Sequence, residues 1–219
     1  MKRAKLATSS EFAAAMSWPL GKVRRVPVEW LRPTQMVVGM RAVKFKRHKI
    51  EERSSKRIEK VLSGKPIPTV RGPDNELYII DHHHFGLALW QSGVESAYVR
   101  VIEDISTLSR NQFWRRMEAN RHVYLYDEEG QRIQPEHLPT WLHGLRHDPF
   151  RDIAWTVREA GGFSKSPEPF AEFRWANFFR DHIPVSVVRR NYDGAIARAL
   201  ALTRSHDARD LPGYQSRPS

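Results

Sequence analysis

The chain has 219 residues, 40% of them hydrophobic, with 7 tryptophans and a formal net charge of +11. This length supports one large domain or a domain and a half, and the apolar content excludes a disordered chain. The absence of cysteine excludes disulfides, thiolate-bound metals and a cysteine nucleophile. A chain this basic favours a polyanionic partner, such as nucleic acid or a nucleotide.

Residues 1–22 predict a basic, flexible arm ahead of the folded part. Their head, "MKRAK", is followed by Thr8, Ser9 and Ser10, where a signal peptide needs an apolar run. No stretch of the sequence approaches the roughly 18 apolar residues of a membrane span. We therefore expect a cytoplasmic protein that has no membrane partner.

Residues 23–105 predict a compact α/β domain with the order β-α-β-β-α-β. "RVPVEWL" alternates apolar and polar residues as a strand does, and Pro33 ends it. "RAVKFKRHKIEERSSKRIEKVLSG" has the sparse apolar stripe of one helix, which Gly64 ends. "IPTVRG" and "LYIID" predict two strands. A second helix runs from His84 to Gly93, and "SAYVRVIED" predicts the last strand.

Residues 106–219 predict a mainly helical C-terminal part, so the fold class is α+β. Ser and Thr caps open a helix in "STLSRNQFWRRMEANRHV", and "YLYDEEGQ" predicts a hairpin-like turn. "HDPFRDIAWTVREAGGFSK", "EPFAEFRWANFFRDHIP" and "NYDGAIARALALTRSHDARDLPGY" predict three further helices. We assign the aromatic residues of the middle segment to the core rather than to a ligand-stacking platform, namely Phe170, Phe173, Trp175, Phe178 and Phe179.

The stretch "YIIDHHHFGLAL" carries the main candidate site, and a metal is its first interpretation. Imidazoles and a carboxylate bind transition metals, and a strand followed by Asp-His-His is similar to the manganese-binding DHH phosphoesterases. However, adjacent side chains diverge, so at most two of the three histidines reach one ion together with Asp81. Upstream of Asp81 the only aspartate is Asp74, in a turn. We therefore assign no metal site from the residues.

Phosphate binding is the second interpretation of this stretch, and it fits the local pattern better. A buried strand leads into a helix start, where free N–H groups and the positive end of the helix dipole accept an anion. His82, His83 and His84 would add donors, and Asp81 would orient a histidine, accept a proton or hold a divalent ion carried by the nucleotide. The alternative is that Asp81 simply caps the helix, with the histidines half exposed.

Six blocks of the sequence resemble the ParB-like putative nuclease family, from Val26 to Tyr214. They are "PVEWLRPTQMVVGMRAV", "GKPIPTV", "YIIDHHHFGLAL", "FWRRME", "YLYDEEG" and "PFAEFRWANFFR". The resemblance implies a first domain similar to the fold shared by ParB, sulfiredoxin and an archaeal free-serine kinase. It also implies a nucleotide (ATP, ADP or CTP), with Mg or Mn, bound over the loop from Asp81 to Phe85.

The corresponding loop of the serine kinase reads Asp-Gly-His-His-Arg, and its Asp is catalytic. This similarity implies catalytic roles for Asp81, His83 and His84. The present loop departs from that pattern at two positions. His82 replaces the Gly, and Phe85 replaces the phosphate-binding Arg.

Thr34, Gln35 and Arg41 are expected to form the wall opposite the histidines, and to bind phosphate together with His82, His83 and His84. Gln35 occupies the place of the kinase's catalytic Glu, and Gln cannot act as a general base. Sulfiredoxin's cysteine has no counterpart, and the DNA-reading helix-turn-helix of ParB is not evident in the C-terminal half.

The segment "KFKRHKIEERSSKRIEK" concentrates positive charge on one predicted helix. Such a face contacts phosphates in a salt-dependent and sequence-independent manner, although a solvated outer face has the same composition. We predict nucleic-acid contacts from its cations Lys44, Lys46, Arg47, Lys49 and Arg53.

Three functions follow from these expectations. The first is cleavage or transfer of phosphate at the Asp81–His84 turn, with nucleic acid as substrate or partner. The second is a kinase for a small hydroxyl compound such as a free amino acid. The third is a non-enzymatic, nucleotide-gated module that binds DNA or a protein partner.

Overall fold

The computed structural model of the protein describes residues 19–216, so most of the arm predicted for residues 1–22 lies outside the described residues. The fold is α+β. Its strands are β1 (Val23–Pro27), β2 (Leu31–Pro33), β3 (Val37–Val38), β4 (Ile67–Arg71), β5 (Leu77–Ile79), β6 (Ser96–Asp104) and β7 (Arg146–His147). Its α-helices are α1 (Met40–Glu51), α2 (Ser55–Gly64), α3 (His83–Gln91), α4 (Arg110–Ala119), α5 (Pro149–Glu159), α6 (Ala171–His182), α7 (Val185–Arg190) and α8 (Tyr192–Leu202).

The main sheet has five strands in the order β1-β6-β4-β5-β2. Strand β6 is antiparallel to β1 and parallel to β4, while β5 is antiparallel to β4 and parallel to β2. Helices α1, α2 and α3 pack on this sheet around a core that includes Ile67, Ile79, Leu89 and Val99, all of them inaccessible to solvent. No described helix is long and apolar enough to cross a membrane.

The single strand predicted for "RVPVEWL" is wrong. A 3-10 turn, Val28–Trp30, separates β1 from β2, and these two strands lie at opposite edges of the sheet. Pro27 is the last residue of β1, and the 3-10 turn begins directly after it. The chain therefore leaves the sheet at Pro27 and returns at the other edge.

The single helix predicted for residues 41–64 is also wrong, because it is two helices, α1 and α2. Residues 52–54 separate them, and the backbone of Ser54 is extended. The Ser54 carbonyl accepts hydrogen bonds from the N–H groups of Arg57 and Ile58, so Ser54 starts a new helix. Serine favours this flanking position over a helix interior.

The C-terminal helices have an apolar core of their own, built from α5 to α8 and the loop after α5. Trp175 and Phe179 are inaccessible to solvent, and Phe173 and Phe178 are buried, which confirms their assignment to the core. Phe170 is partly buried, and it begins α6 in a left-handed conformation, with φ of 62°.

The contacts that join the sheet to these helices include two that were not predicted from the sequence. Strand β3 pairs in parallel with β7 immediately before α5. The Asp152 carboxylate of α5 accepts a hydrogen bond of 2.7 Å from the Arg41 N–H, at the start of α1.

Helix α4 belongs to the sheet side, since Phe113 and Met117 pack with Tyr78. The division at residue 105 stays a prediction.

Candidate functional site

The acid–histidine turn lies where two neighbouring parallel strands end. Strand β2 runs beside β5 in parallel, so the residues that follow each strand emerge at the same edge of the sheet. Thr34 follows β2, and its hydroxyl donates a 2.8 Å hydrogen bond to the carbonyl of Ile79 at the end of β5. This bond holds the Thr34 loop against the turn that begins at Asp81.

The turn itself is made by His82, whose φ of 66° reverses the chain into α3. Its N–H donates a 2.6 Å hydrogen bond to Asp81 Oδ1, and the Asp81 side chain is otherwise exposed. Asp81 does not cap α3, because the N-cap residue is His82 and no side chain caps this helix. Within residues 19–216, the N–H groups of His83, His84 and Phe85 have no hydrogen-bond acceptor.

His83 and His84 hold the two ends of the loop between β2 and α1. The Nε2 atom of His83 accepts a 3.0 Å hydrogen bond from the Thr34 N–H, and that of His84 accepts one of the same length from the Gly39 N–H. Burial lowers the pKa of His83 to about 3, and burial also lowers the pKa of His84 well below its usual value. Both rings are therefore neutral and carry their proton on Nδ1.

The charges of three lysines from separate parts of the chain act on this turn. Burial lowers the pKa of His82 despite the nearby Asp81 charge, and Lys65, Lys46 and Lys165 lower it further. Burial also lowers the pKa of Lys46, with the charge of Lys65 as the next cause. The described part of the chain provides no ion-pair partner for any of these lysines. The turn thus lies among positive charges that Asp81 offsets in part at His82 and Glu159 offsets in part at Lys46.

Arg151 of α5 adds a buried positive charge that acts on His83 and His84. It is 4% exposed, its guanidinium lies 3.9 Å from the centre of the Phe173 ring, and its Nη2 is 3.5 Å from Glu172. Its Nε and Nη1 are buried and have no partner among the described residues. Burial lowers the pKa of Arg151 to about 10, and its charge contributes to the low pKa of both His83 and His84.

Sequence reasoning placed Thr34 beside the histidines, and the structure brings Thr34 and His83 together. Gln35 is buried, and its Nε2 donates a 2.7 Å hydrogen bond to the carbonyl of Val37. The Arg41 guanidinium lies 3.6 Å from the centre of the Tyr192 ring. Neither Gln35 nor Arg41 is brought to the acid–histidine turn by a described contact, and their phosphate-binding roles stay predictions.

The five cations predicted to contact nucleic acid lie on α1 or just after it. Lys46 is partly buried and its charge lowers the pKa of His82, whereas Lys44 and Lys49 are exposed. Arg47 forms an ion pair of 3.3 Å with Glu51, and Arg53 donates to the Lys49 carbonyl. Sequence reasoning missed Lys65, Lys165 and Arg151, because nothing near them in the sequence indicates that their charges act on the histidines of the turn.

The described residues contain no group of three or more His, Asp or Glu side chains that could hold a metal ion. A cavity of about 310 Å³ lies elsewhere, between α5, α6 and α7, where Phe150, Arg180 and Arg189 line it. The acid–histidine residues do not line that cavity. The described turn thus offers N–H donors close to charged lysines, with His83 and Phe85 buried and His84 partly exposed.

Gly39 provides a test of the contact between this loop and α5. A Cβ at this position would lie 2.8 Å from Asp152 Oδ1 and 3.0 Å from the Arg151 backbone. We expect Gly39→Ala to lower the free energy of unfolding by about 1–3 kcal/mol. At Gly64 a Cβ meets nothing within 4 Å, so Gly64→Ala is the matched control and should not destabilise the protein. Urea denaturation gives the free energy of unfolding of both variants. An equal loss in Gly39→Ala and Gly64→Ala would contradict the tight packing at Gly39.

Comparison with known proteins adds a family and a structural neighbour. Residues 24–181 match the family described as "Putative ParB-like nuclease". The crystal structure of protein Atu1540 from Agrobacterium tumefaciens is 36% identical, with a TM-score of 0.82 over 90% of this chain and 100% of that one. No curated protein matches.

A second solved structure is the C-terminally truncated chromosome-partitioning protein ParB from Caulobacter crescentus, complexed with CTP-γ-S. It is 14% identical, with a TM-score of 0.30 over 86% of this chain and 95% of that one, which is too low to support a structural argument. The family match by itself covers most of the described chain, including the whole acid–histidine turn. The chain therefore belongs to the ParB-like nuclease family.

Proposed function

We propose that this protein binds the phosphate of a nucleotide or phosphodiester at the turn from Asp81 to Phe85 and acts there on nucleic acid. The observation that carries the proposal is that the N–H groups at the start of α3 have no acceptor among the described residues, while Lys65 Nζ lies 5.9 Å from the centre of the neighbouring Phe85 ring. The charges of Lys46 and Lys165, like that of Lys65, also lower the pKa of His82. Holding like charges together costs free energy, and a bound phosphate reverses the sign of that interaction. The N-terminus of the helix adds its dipole to the attraction.

The histidines contribute in their neutral form. Since Nε2 of His83 and of His84 accepts a backbone hydrogen bond, each ring keeps an Nδ1–H donor. A neutral donor can bind phosphate at pH 7 without first gaining a proton. Arg151 is 4% exposed, as is His83, and its charge strengthens the positive potential through a medium of low dielectric constant.

Asp81 is the residue to which we assign the chemical step. Its carboxylate is exposed at the turn, where it would accept the proton of an attacking water molecule or hold a divalent ion. Because one carboxylate does not make a site for Mg or Mn, such an ion would arrive with the phosphate of the substrate. The family's description as a nuclease is the reason to choose phosphodiester cleavage over other phosphate chemistry.

Binding is tested by calorimetric titration with CTP, ATP and ADP. We expect Lys65→Ala and Lys165→Ala each to weaken the preferred nucleotide about tenfold, as the loss of one charge-assisted contact predicts. Lys60→Ala is the control, because Lys60 is an exposed lysine of α2 that is not among the charges that shift the pKa of His82. Equal affinities for all three variants and the parent protein would reject the phosphate site.

Cleavage is tested on supercoiled plasmid with and without Mg or Mn. We expect nicking that depends on the ion and is lost in Asp81→Asn, while nucleotide binding by this variant persists.

A non-enzymatic, nucleotide-gated module is the second candidate, and one observation favours it. Lys165 and Arg151 belong to the helical part yet influence the turn, so an anion bound there would pull the two parts of the protein together. In that case DNA affinity would change with nucleotide while no phosphate is released. The amino-acid kinase is disfavoured, because the Gln35 amide is buried in its own loop.

A further inference from the structure

Cationic and aromatic side chains alternate along one side of α1. Arg41, Phe45 and Lys49 follow one another at intervals of four residues, which places them on the same face of the helix. Trp155 of α5 and Tyr192 of α8 lie beside this row. We call these five residues the α1 ridge.

The ridge is held together by contacts between rings and charges. The Arg41 guanidinium lies 3.6 Å from the centre of the Tyr192 ring, and Lys49 Nζ lies 4.1 Å from that of Phe45. The rings of Phe45 and Trp155 are 5.5 Å apart. The Tyr192 hydroxyl is fixed by a 2.8 Å hydrogen bond with Thr156. Within the described residues, neither Arg41 nor Lys49 forms an ion pair with an acid.

Packing alone does not account for the ridge. Phe45 is 44% exposed, although the apolar residues of α1 that serve the core, such as Val43 and Ile50, are buried. Contact with duplex phosphates would need the cations but not the rings, because bases in a duplex are already stacked and hidden. A single strand instead offers unstacked bases to aromatic rings and phosphates to neighbouring cations.

We infer that the α1 ridge binds single-stranded nucleic acid, with bases stacked on Phe45 and Trp155 and phosphates on Arg41 and Lys49. This inference rests on the proposed function and specifies its substrate class. The two sites meet at the start of α1, since the N–H of Gly39, two residues before Arg41, donates a 3.0 Å hydrogen bond to His84 Nε2. A strand lying on the ridge would therefore lead its phosphates toward the acid–histidine turn.

The test is fluorescence anisotropy with a labelled 15-nucleotide oligothymidine and with a duplex of the same length, at low salt. We expect Phe45→Ala to weaken the single strand about tenfold, as the loss of one stacked base predicts, and the duplex less than twofold. Phe45→Trp should retain binding, whereas Phe45→Leu, which keeps an apolar surface without a ring, should not. Trp90→Ala is the control, since Trp90 is 45% exposed on α3.

Three outcomes would overturn the inference: no loss in Phe45→Ala, full binding by Phe45→Leu, or an equal loss for duplex and single strand. CTP binding, measured by calorimetry on the same variants, separates this failure from a failure of the proposed function. If CTP binds but Phe45→Ala does not weaken oligonucleotide binding, the inference about the α1 ridge is wrong and the proposed phosphate site stands. If CTP does not bind while the single strand still depends on Phe45, the ridge stands and the phosphate site is wrong.

Discussion

Lowering the pH from 7.5 to 5 is expected to reduce the free energy of unfolding by about 2 kcal/mol through His83 alone. Burial lowers its pKa to about 3 in the folded protein, whereas an unfolded histidine has a pKa near 6.5. The unfolded chain therefore binds a proton that the folded protein excludes. The stabilising contribution is fully present above pH 6.5 and is lost as the pH falls toward 3. His84 acts in the same direction.

Urea denaturation at the two pH values measures this effect. His83→Gln removes the titrating ring and keeps a carbonyl oxygen that can accept the Thr34 N–H. This variant should be less stable than the parent at pH 7.5. The free energy of unfolding that it loses between pH 7.5 and pH 5 should be smaller than the parent's loss by about 2 kcal/mol. His48→Gln, at an exposed position of α1, is the control for the exchange of a histidine for glutamine. An identical pH dependence in the parent and His83→Gln would show that His83 is not held neutral in the fold.

Trp175→Ala is expected to lower the free energy of unfolding by about 3–5 kcal/mol. The ring is inaccessible to solvent and stacks on Phe163, with 4.3 Å between centroids. Its indole N–H donates a 2.7 Å hydrogen bond to the Pro212 carbonyl, which would lose its partner. This residue therefore ties α6 to the loop after α5 and to the C-terminal segment.

Trp90→Ala removes a side chain of the same size from an exposed position and should cost less than about 1 kcal/mol. Chemical denaturation of both variants gives the comparison. A similar loss in the two variants would contradict the placement of Trp175 at the centre of the helical core.

The sequence predicted those elements whose patterns are local. Alternating or continuous apolar residues indicated β4, β5 and β6, and the site turn was placed correctly between β5 and α3. The separation of β1 from β2 was missed, because a strand pattern does not report which edge of a sheet its residues join. The break at Ser54 was missed because lysines and glutamates on both sides favour helix equally.

Only the residues of the candidate site that lie in or next to the acid–histidine segment could be predicted from the sequence. Asp81 and the histidines stand together in the sequence, and Thr34 follows a strand that pairs with β5. Lys165 and Arg151 lie on the far side of the β3–β7 contact, and a single sequence gives no signal for such a long-range approach. The same limit explains Arg41, which was expected opposite the histidines and lies over a ring of α8.

The proposed phosphate site requires that the free N–H groups at the start of α3 receive a phosphate. The most direct measurement is an NMR titration of the isotopically labelled protein with CTP, ATP or ADP, following the backbone amides of His83, His84 and Phe85. We predict that these three resonances move together and saturate with a single dissociation constant, and that Lys65→Ala raises this constant. Resonances that remain in place at millimolar concentrations of all three nucleotides would contradict the account.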